Sequence, residues 1–231
     1  MITIEGATVL VTGGQRGLGK AFVDELLARG AAKVYATARR PVPSDDPRVV
    51  SVALDVTDPD SVAALARTAT DVSVVINNAG IVGTSGPLLT ASIEDAKASF
   101  ETNVFGALRI AQTFAPVLAA NGGGALVDIH SALSWLGGAG AYGASKAAFW
   151  SLTNSLRVEL AGQGTQVVGV HLGYTDTDMT RHVTAPKNDP RKVAADTLAA
   201  VEAGAVEVLA DDASRHAKSV LGGPVEALRV G

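Results

Sequence analysis

The stretch ATVLVTGGQRGLGK, residues 7–20, decides the fold. Its first five residues are apolar and partly β-branched, and they read as a buried strand that Gly13 and Gly14 stop. From Gly17 the spacing turns helical, with Leu18, Phe22, Leu26 and Leu27 on one side of a helix that runs to Arg29. A glycine turn between strand and helix gathers unpaired N–H groups at the positive end of the helix dipole, and it lets an anion approach the backbone. A tight turn without a ligand would use the same glycines. The context favours phosphate binding, because this strand–turn–helix opens an alternating series.

The series continues with strands at residues 33–38, 49–55, 72–77, 125–130 and 165–172. Helical patterns lie at 17–29, 59–68, 96–119 and 141–161, the third ended by the glycines of NGGG. Residues 189–204 read as a further helix, 206–210 as a last strand and 211–221 as a final helix. Residues 222–231 form a loose or docked tail. Strands that alternate with helices imply an α/β fold, a parallel sheet covered on both faces. The link RRPVPSDDPR holds three prolines and is too short for a full helix, so the crossover between strands two and three is extended or a single turn. No repeat or linker divides the chain, and residues 1–231 read as one domain.

Composition excludes several roles. With 18% charged residues and a net charge of −4, the chain has no basic footprint for nucleic acid. Without cysteine there are no disulfides or thiolate metal sites, which fits a reducing compartment. The four histidines are far apart and none has helical metal spacing, so no metal is expected. No apolar run reaches the length of a membrane span. The opening MITIEGATVLVTGG does not read as a signal peptide, and the cytoplasm is the expected location.

The end of the second strand sets the cofactor expectation. An acid there would bind the 2′-hydroxyl of an NAD ribose. This chain has Ala38, then Arg39 and Arg40, with Arg16 inside the glycine turn. Guanidiniums in place of a carboxylate suit a 2′-phosphate, so NADP(H) is expected over NAD(H). Arginines that are merely solvated are the plain alternative.

Taken in order, Thr12-Gly13-x-x-x-Gly17-x-Gly19, NNAG at 77–80, Asn103 in TNVFG, Ser131 and Tyr142-x-x-x-Lys146 resemble the short-chain dehydrogenase/reductase family, in its single-domain branch. The resemblance spans residue 3 to about 179. It implies a Rossmann-like, doubly wound sheet of seven parallel strands in the order 3-2-1-4-5-6-7. It also implies a cofactor site of Gly13, Gln15, Arg16, Gly17, Leu18 and Gly19, then Ala38, Arg39 and Arg40. Asp55 and the Val56 backbone would meet adenine, and the backbone at Asn77, Ala79 and Gly80 would wall the adenosine ribose. Gly173, Thr175 and Thr177 would sit by the nicotinamide and phosphates. Leu172 stands where the family has proline, Thr175 where it has isoleucine, and Asp128 where asparagine is common.

The catalytic expectation joins resemblance to chemistry. Tyr142 and Lys146 are four apart and share a helix face. A phenol titrates near 10, too high for acid–base work at neutral pH, and a nearby ammonium lowers it. Tyr142 would then give a proton to a carbonyl oxygen as hydride arrives, or take one back. Ser131, chosen over Ser134 because it directly follows the strand, would stabilise the developing alkoxide. Lys146 would also hold the nicotinamide ribose. Asn103 resembles the asparagine that supports a water and a proton path to the lysine. Gly143, Ala144 and Ser145 would let the helix lie close to the nicotinamide.

Ile81, Val82, Leu133, Trp135, Leu136, Tyr174 and Met179 are the candidate substrate contacts, with His182 on a short lid at 180–190. They are mostly apolar, which suggests a hydrophobic ketone or aldehyde and its alcohol. Plain loop packing is the alternative for Trp135. The resemblance also implies a homodimer or homotetramer built on the helices at 96–119 and 141–161. Three functions stay open: carbonyl reductase or alcohol dehydrogenase, another reaction on this scaffold (imine reduction, epimerisation or dehydration), and a non-catalytic NADP-binding protein.

Overall fold

The computed structural model describes residues 2–83 and 86–229. Its strands are β1 (Thr8–Val11), β2 (Lys33–Ala38), β3 (Val49–Ala53), β4 (Val74–Asn77), β5 (Ala125–Ile129), β6 (Gln166–His171) and β7 (Glu207–Leu209). All pair in parallel, in the order β3-β2-β1-β4-β5-β6-β7. This is the parallel sheet that the alternation implies, in the Rossmann-like order that the family resemblance implies. The chain winds outward from β1 to β3, then returns to start again at β4. That reversal leaves a crevice at the carboxyl ends of β1 and β4.

The helices are α1 (Gly17–Ala28), α2 (Pro59–Thr68), α3 (Ile93–Phe100), α4 (Ala107–Ala120), α5 (Gly140–Glu159), α6 (Pro190–Glu202) and α7 (Asp212–Val220). On one face of the sheet Phe22, Val23 and Leu26 of α1 and Leu198 and Val201 of α6 pack on Val9, Val11 and Ile76. On the other, Val62, Ile110, Phe114 and Leu156 from α2, α4 and α5 pack on Leu10, Val75, Leu126 and Val167. Strand residues thus alternate between two apolar layers, as a sheet buried on both sides requires. A third, smaller cluster joins Trp135 to Ala132 and Ala217 of α7.

The observed bounds refine the expected ones. No helix forms between β2 and β3, as the prolines dictate. The third helical stretch starts at Ile93, not 96, because the Ser92 hydroxyl accepts from the Glu94 and Asp95 N–H groups and caps it. A π-helical turn, Glu101–Gly106, then separates α3 from α4. Such turns recur at functional sites, and this one carries Asn103. The fourth stretch is α5, from Gly140 to Glu159, followed by a short turn at Ala161–Gln163. The tail docks on its own chain: the Gly137 N–H donates to the Leu228 carbonyl at 2.8 Å. Val230 and Gly231, which the expected tail includes, lie outside the described residues, as does Met1. Among the described residues no helix is long and apolar enough to cross a membrane.

Candidate active site

The glycine turn is built to leave the start of α1 open. Asp58, Ser92, Asp189 and Asp211 cap other helices with side-chain oxygens. At α1 the cap position is Arg16, which makes no capping bond, and no acid lies in the first turn. The first N–H groups and the dipole are therefore left for an anion. Thr12 fixes the turn to β4, since its hydroxyl accepts from the Asn78 and Ala79 N–H groups at 2.9 Å each. Asn78, which the sequence did not single out, donates from Nδ2 to the Thr12 carbonyl at 2.9 Å. Gly17 has φ +52°, and a Cβ there would come within 3.2 Å of the Thr177 methyl. The loop after β6 thus closes the cradle from the far side. These features fit the pyrophosphate of a dinucleotide.

The other cofactor residues divide into two groups. Arg16, Arg39 and Arg40 are exposed, and none makes an ion pair among the described residues. Ala38 ends β2 with no acid beside it. Asp55 lies just past β3, where Thr57 donates to its Oδ1 and, with smaller help from Arg39, holds the carboxyl below its ordinary value. The second group is already engaged within the protein. Gln15 clamps Val42, donating to its carbonyl and accepting from its N–H, each at 2.8 Å, and it also donates to Ser51. Its side chain anchors the crossover after β2 and is not free for cofactor. The Asn77 side chain turns into the core, donating to the Ala107 carbonyl and to Asp128. The Val56 side chain is buried, and its carbonyl accepts from Arg109 at 2.6 Å.

Across the crevice, β5 and α5 bring Ser131, Tyr142 and Lys146 together. Ser131 follows β5 in extended backbone, and its hydroxyl accepts from the Leu133 N–H at 3.2 Å. Ser131 is near enough to the Tyr142 phenol to oppose the rise that burial causes. Lys146 is buried and donates to the Ile129 carbonyl, at the end of β5, at 2.8 Å. A Cβ on Gly80 would lie 3.2 Å from Asn103 Oδ1 and 3.6 Å from Lys146 Nζ. The floor laid by residues 77–80 therefore runs from the glycine turn to the lysine.

Around this group one expectation changes and two gain detail. The Tyr142 phenol is raised above 10, not lowered: burial dominates, Ser131 pulls the other way, and Lys146 lies 6.0 Å from the ring centre. With protein groups alone, Tyr142 holds its proton. Asn103 is buried, with Oδ1 accepting from the Ile81 N–H and Nδ2 donating to the Ile81 carbonyl and to Ser145. Its side chain positions the Ile81 loop against α5. Of the small residues beside Tyr142, Gly143 and Ser145 are packed, whereas Ala144 is exposed. A Cβ on Gly143 would meet Ala139 at 2.7 Å and the Leu133 carbonyl at 3.2 Å, and Ser145 is buried in the Asn103 network.

Of the expected substrate contacts, Tyr174 and Met179 are exposed and Val82, Ile81, Leu133 and Leu136 are half-buried at loop ends. His182 is exposed. Trp135 is a correction. It is buried, stacked on His171 at 3.8 Å between ring centres and edge-on to Trp150 at 5.7 Å. It packs α7 to the sheet and does not line a pocket.

His171 and its neighbour His130 are buried beneath Ser131, with ring centres 4.8 Å apart. Burial holds His130 well below its ordinary value and His171 at about 3. Below the unfolded value near 6.5, the unfolded chain takes up protons that the folded chain refuses, so stability falls as pH drops. His171 alone accounts for about 2 kcal/mol between pH 6.5 and 5. Asp128, raised to about 6, opposes this by about 1 kcal/mol near pH 5. Calorimetry should therefore show a melting temperature several degrees lower at pH 5 than at pH 7, and an unchanged value would contradict this account.

Two residues missed in the sequence shape the loop after β6. Asp211 caps α7 and also accepts from the Gly173 N–H at 2.6 Å and from the Asn188 side chain. Asn188 pairs with Thr175, which is buried, and accepts from the Asp176 N–H. The only local signal for Asp211 is its cap spacing to Ser214.

An open helix start at the switch point, with a phenol and an ammonium across from it, fits an α/β oxidoreductase that works with a nicotinamide dinucleotide. Comparison narrows the class. Residues 7–188 match the family model described as short chain dehydrogenase, and the chain belongs to that family. It is similar to the 3-oxoacyl-[acyl-carrier-protein] reductase FabG of Vibrio cholerae, 33% identical over 88% of this chain and 85% of that one. It is 35% identical to the 1-deoxy-11-beta-hydroxypentalenate dehydrogenase of Streptomyces avermitilis, over 80% of this chain and 74% of that one. A short chain dehydrogenase of Burkholderia cenocepacia, solved in complex with NADP, superposes with a TM-score of 0.91 at 39% identity, covering 98% and 97% of the two chains.

Proposed function

We propose that this chain is an NADP(H)-dependent carbonyl reductase of the cytoplasm, acting on a hydrophobic ketone or aldehyde. The observation that carries the reading is the meeting of Ser131, Tyr142 and the buried Lys146 at the carboxyl end of β5, across from the uncapped start of α1. Burial raises the phenol above its ordinary value, so at neutral pH it holds the proton that carbonyl reduction needs. The nicotinamide, when bound, supplies the hydride. Tyr142 gives its proton to the carbonyl oxygen, and Ser131 donates a hydrogen bond to the same oxygen. Lys146, held by the Ile129 carbonyl beside Gly80, stands where it can hold the nicotinamide ribose. Gly13, Gly17, Leu18 and Gly19 would hold the pyrophosphate, and Thr177 the phosphates from across the cradle. The name of the FabG relative, an oxoacyl reductase, supports a carbonyl substrate. A screen of aryl ketones, aliphatic aldehydes and steroids, read as NADPH oxidation, tests the reading; no turnover with any class would reject it.

The preference for NADP(H) rests on Arg16, Arg39 and Arg40, exposed around a β2 end that lacks an acid. The NADP-bound relative at 39% identity supports it. Double replacement Arg39→Ala, Arg40→Ala should lower kcat/KM for NADPH by about 10- to 100-fold, as loss of charge-assisted bonds to phosphate would, and leave NADH little changed. Equal wild-type values for the two cofactors would remove the basis for the preference. A homodimer through α3, α4 and α5 is supported by the apolar side chains those regions expose, Ile93, Phe105 and Val158. Light scattering should give the mass of two or four chains, and a monomer would refute this.

A further inference from the structure

Asp128 stands in the middle of the sheet with no exposed surface. A carboxylate there is costly unless it is compensated. Only neutral donors reach it: Asn77 Nδ2 at 3.0 Å on β4 and the Thr153 hydroxyl at 2.7 Å on α5. Lys146 is in the mirror situation. It is a buried ammonium whose one hydrogen bond goes to the Ile129 carbonyl, the residue after Asp128. Among the described residues, these two are the only buried groups that ordinarily carry a charge at pH 7.

Helix geometry puts them on the same side of α5. Lys146 lies two turns before Thr153, so the residue that touches Asp128 and the lysine share the helix face against β5. Arg157, one turn further, is the other cation on that face. Its guanidinium is occupied by the Val167 and Val206 carbonyls and by Asn154. The remaining groups around Asp128 carry no competing charge. His130 just past β5 and His171 on β6 are kept neutral by burial, and Tyr142 keeps its proton. β4 presents Asn77, and on α4 Arg109 is turned to Val56 and Glu101.

We propose that Asp128 is the buried counter-charge of Lys146: without touching it, the carboxylate keeps the lysine cationic and so sets the upper end of the pH range in which the site works. Asp128 is thus a positioning residue acting through the lysine. Burial drives both groups toward neutrality, the carboxyl up to about 6 and the ammonium down to about 8. Each charge opposes that drift in the other. Between those values both are charged. The statement about turnover rests on the reading of Lys146 as an active-site cation, whereas the charge relation does not.

The charge can be removed without disturbing the fold. In Asp128→Asn the amide oxygen still accepts from Asn77, and the amide nitrogen can donate to Thr153. The Thr153 hydroxyl, released as a donor to Asp128, can turn its proton to the Phe149 carbonyl at 3.1 Å, so every partner stays satisfied. Thr153→Val is the complement, losing a hydrogen bond while keeping the carboxylate. The experiment is a carbon-13 NMR titration of protein labelled at lysine Cε. There are seven lysines, and the Lys146 signal is the one missing from Lys146→Met. Lys146 should titrate at about 8 in the wild type and in Thr153→Val. In Asp128→Asn its midpoint should fall by about one pH unit, with the other six unmoved. The alkaline limb of kcat/KM should move down with it. An unchanged Lys146 midpoint in Asp128→Asn, or an equal shift in both variants, overturns the proposal. A shifted midpoint with an unmoved pH profile overturns the catalytic half alone, and loss of all activity beside a normal titration points instead at the functional reading.

Discussion

Tyr142→Phe is expected to lower kcat by about 10³-fold, within the range that removal of a general acid produces. That corresponds to about 4 kcal/mol of barrier. The loss should be chemical and not structural. Among the described residues the hydroxyl makes no hydrogen bond that holds the fold, while the Tyr142 backbone carbonyl keeps its bond from Ser145. Melting temperature and NADPH affinity should therefore stay close to the wild type, so kcat and binding separate cleanly. Retention of near wild-type turnover would show that the proton comes from elsewhere, and the catalytic assignment would fall.

Gly19→Ala should be almost as damaging, through the backbone. A Cβ at that position would lie 2.1 Å from the Gly13 carbonyl oxygen and 2.6 Å from Asn78 Nδ2. Neither is the free end of a flexible side chain: Gly13 is in the turn, and Asn78 is tied to the Thr12 carbonyl. The start of α1 must move away from β4, and the open N–H groups move with it. Overpacking of this kind costs roughly 1–3 kcal/mol in stability. We expect a Kd for NADPH at least about 100-fold weaker, because the pyrophosphate site depends on the position of those N–H groups. Fluorescence titration with NADPH beside a thermal melt measures both. Wild-type affinity would mean that the dinucleotide does not sit on α1.

Much of this protein was legible along the chain. The change from strand to helix spacing at Gly13–Gly17, the prolines of the β2–β3 link and the glycines after residue 120 are local signals. Backbone propensity and periodicity act over a few residues, so the sheet order and the placement of Ser131, Tyr142 and Lys146 followed from them with the family resemblance. The destinations of individual polar side chains did not. Gln15 reads as a cofactor contact until the β2–β3 crossover brings Val42 beside it. The Asn103 side chain reaches Ile81 only because the π-helical turn points it there. Trp135 reads as a pocket wall until α7 closes over it.

The electrostatics divide in the same way. The sequence by itself determined that a phenol and an ammonium share one face of a helix, because four residues make about one turn. It determined neither the sign of the Tyr142 shift nor the surroundings of Lys146. Both depend on how completely β5, β6 and α5 exclude water, and on a carboxylate that β5 contributes from 18 positions earlier in the chain. Burial and charge proximity are properties of elements brought together, so only the tertiary structure decided that the Tyr142 phenol is raised and that Asp128 and Lys146 are both buried.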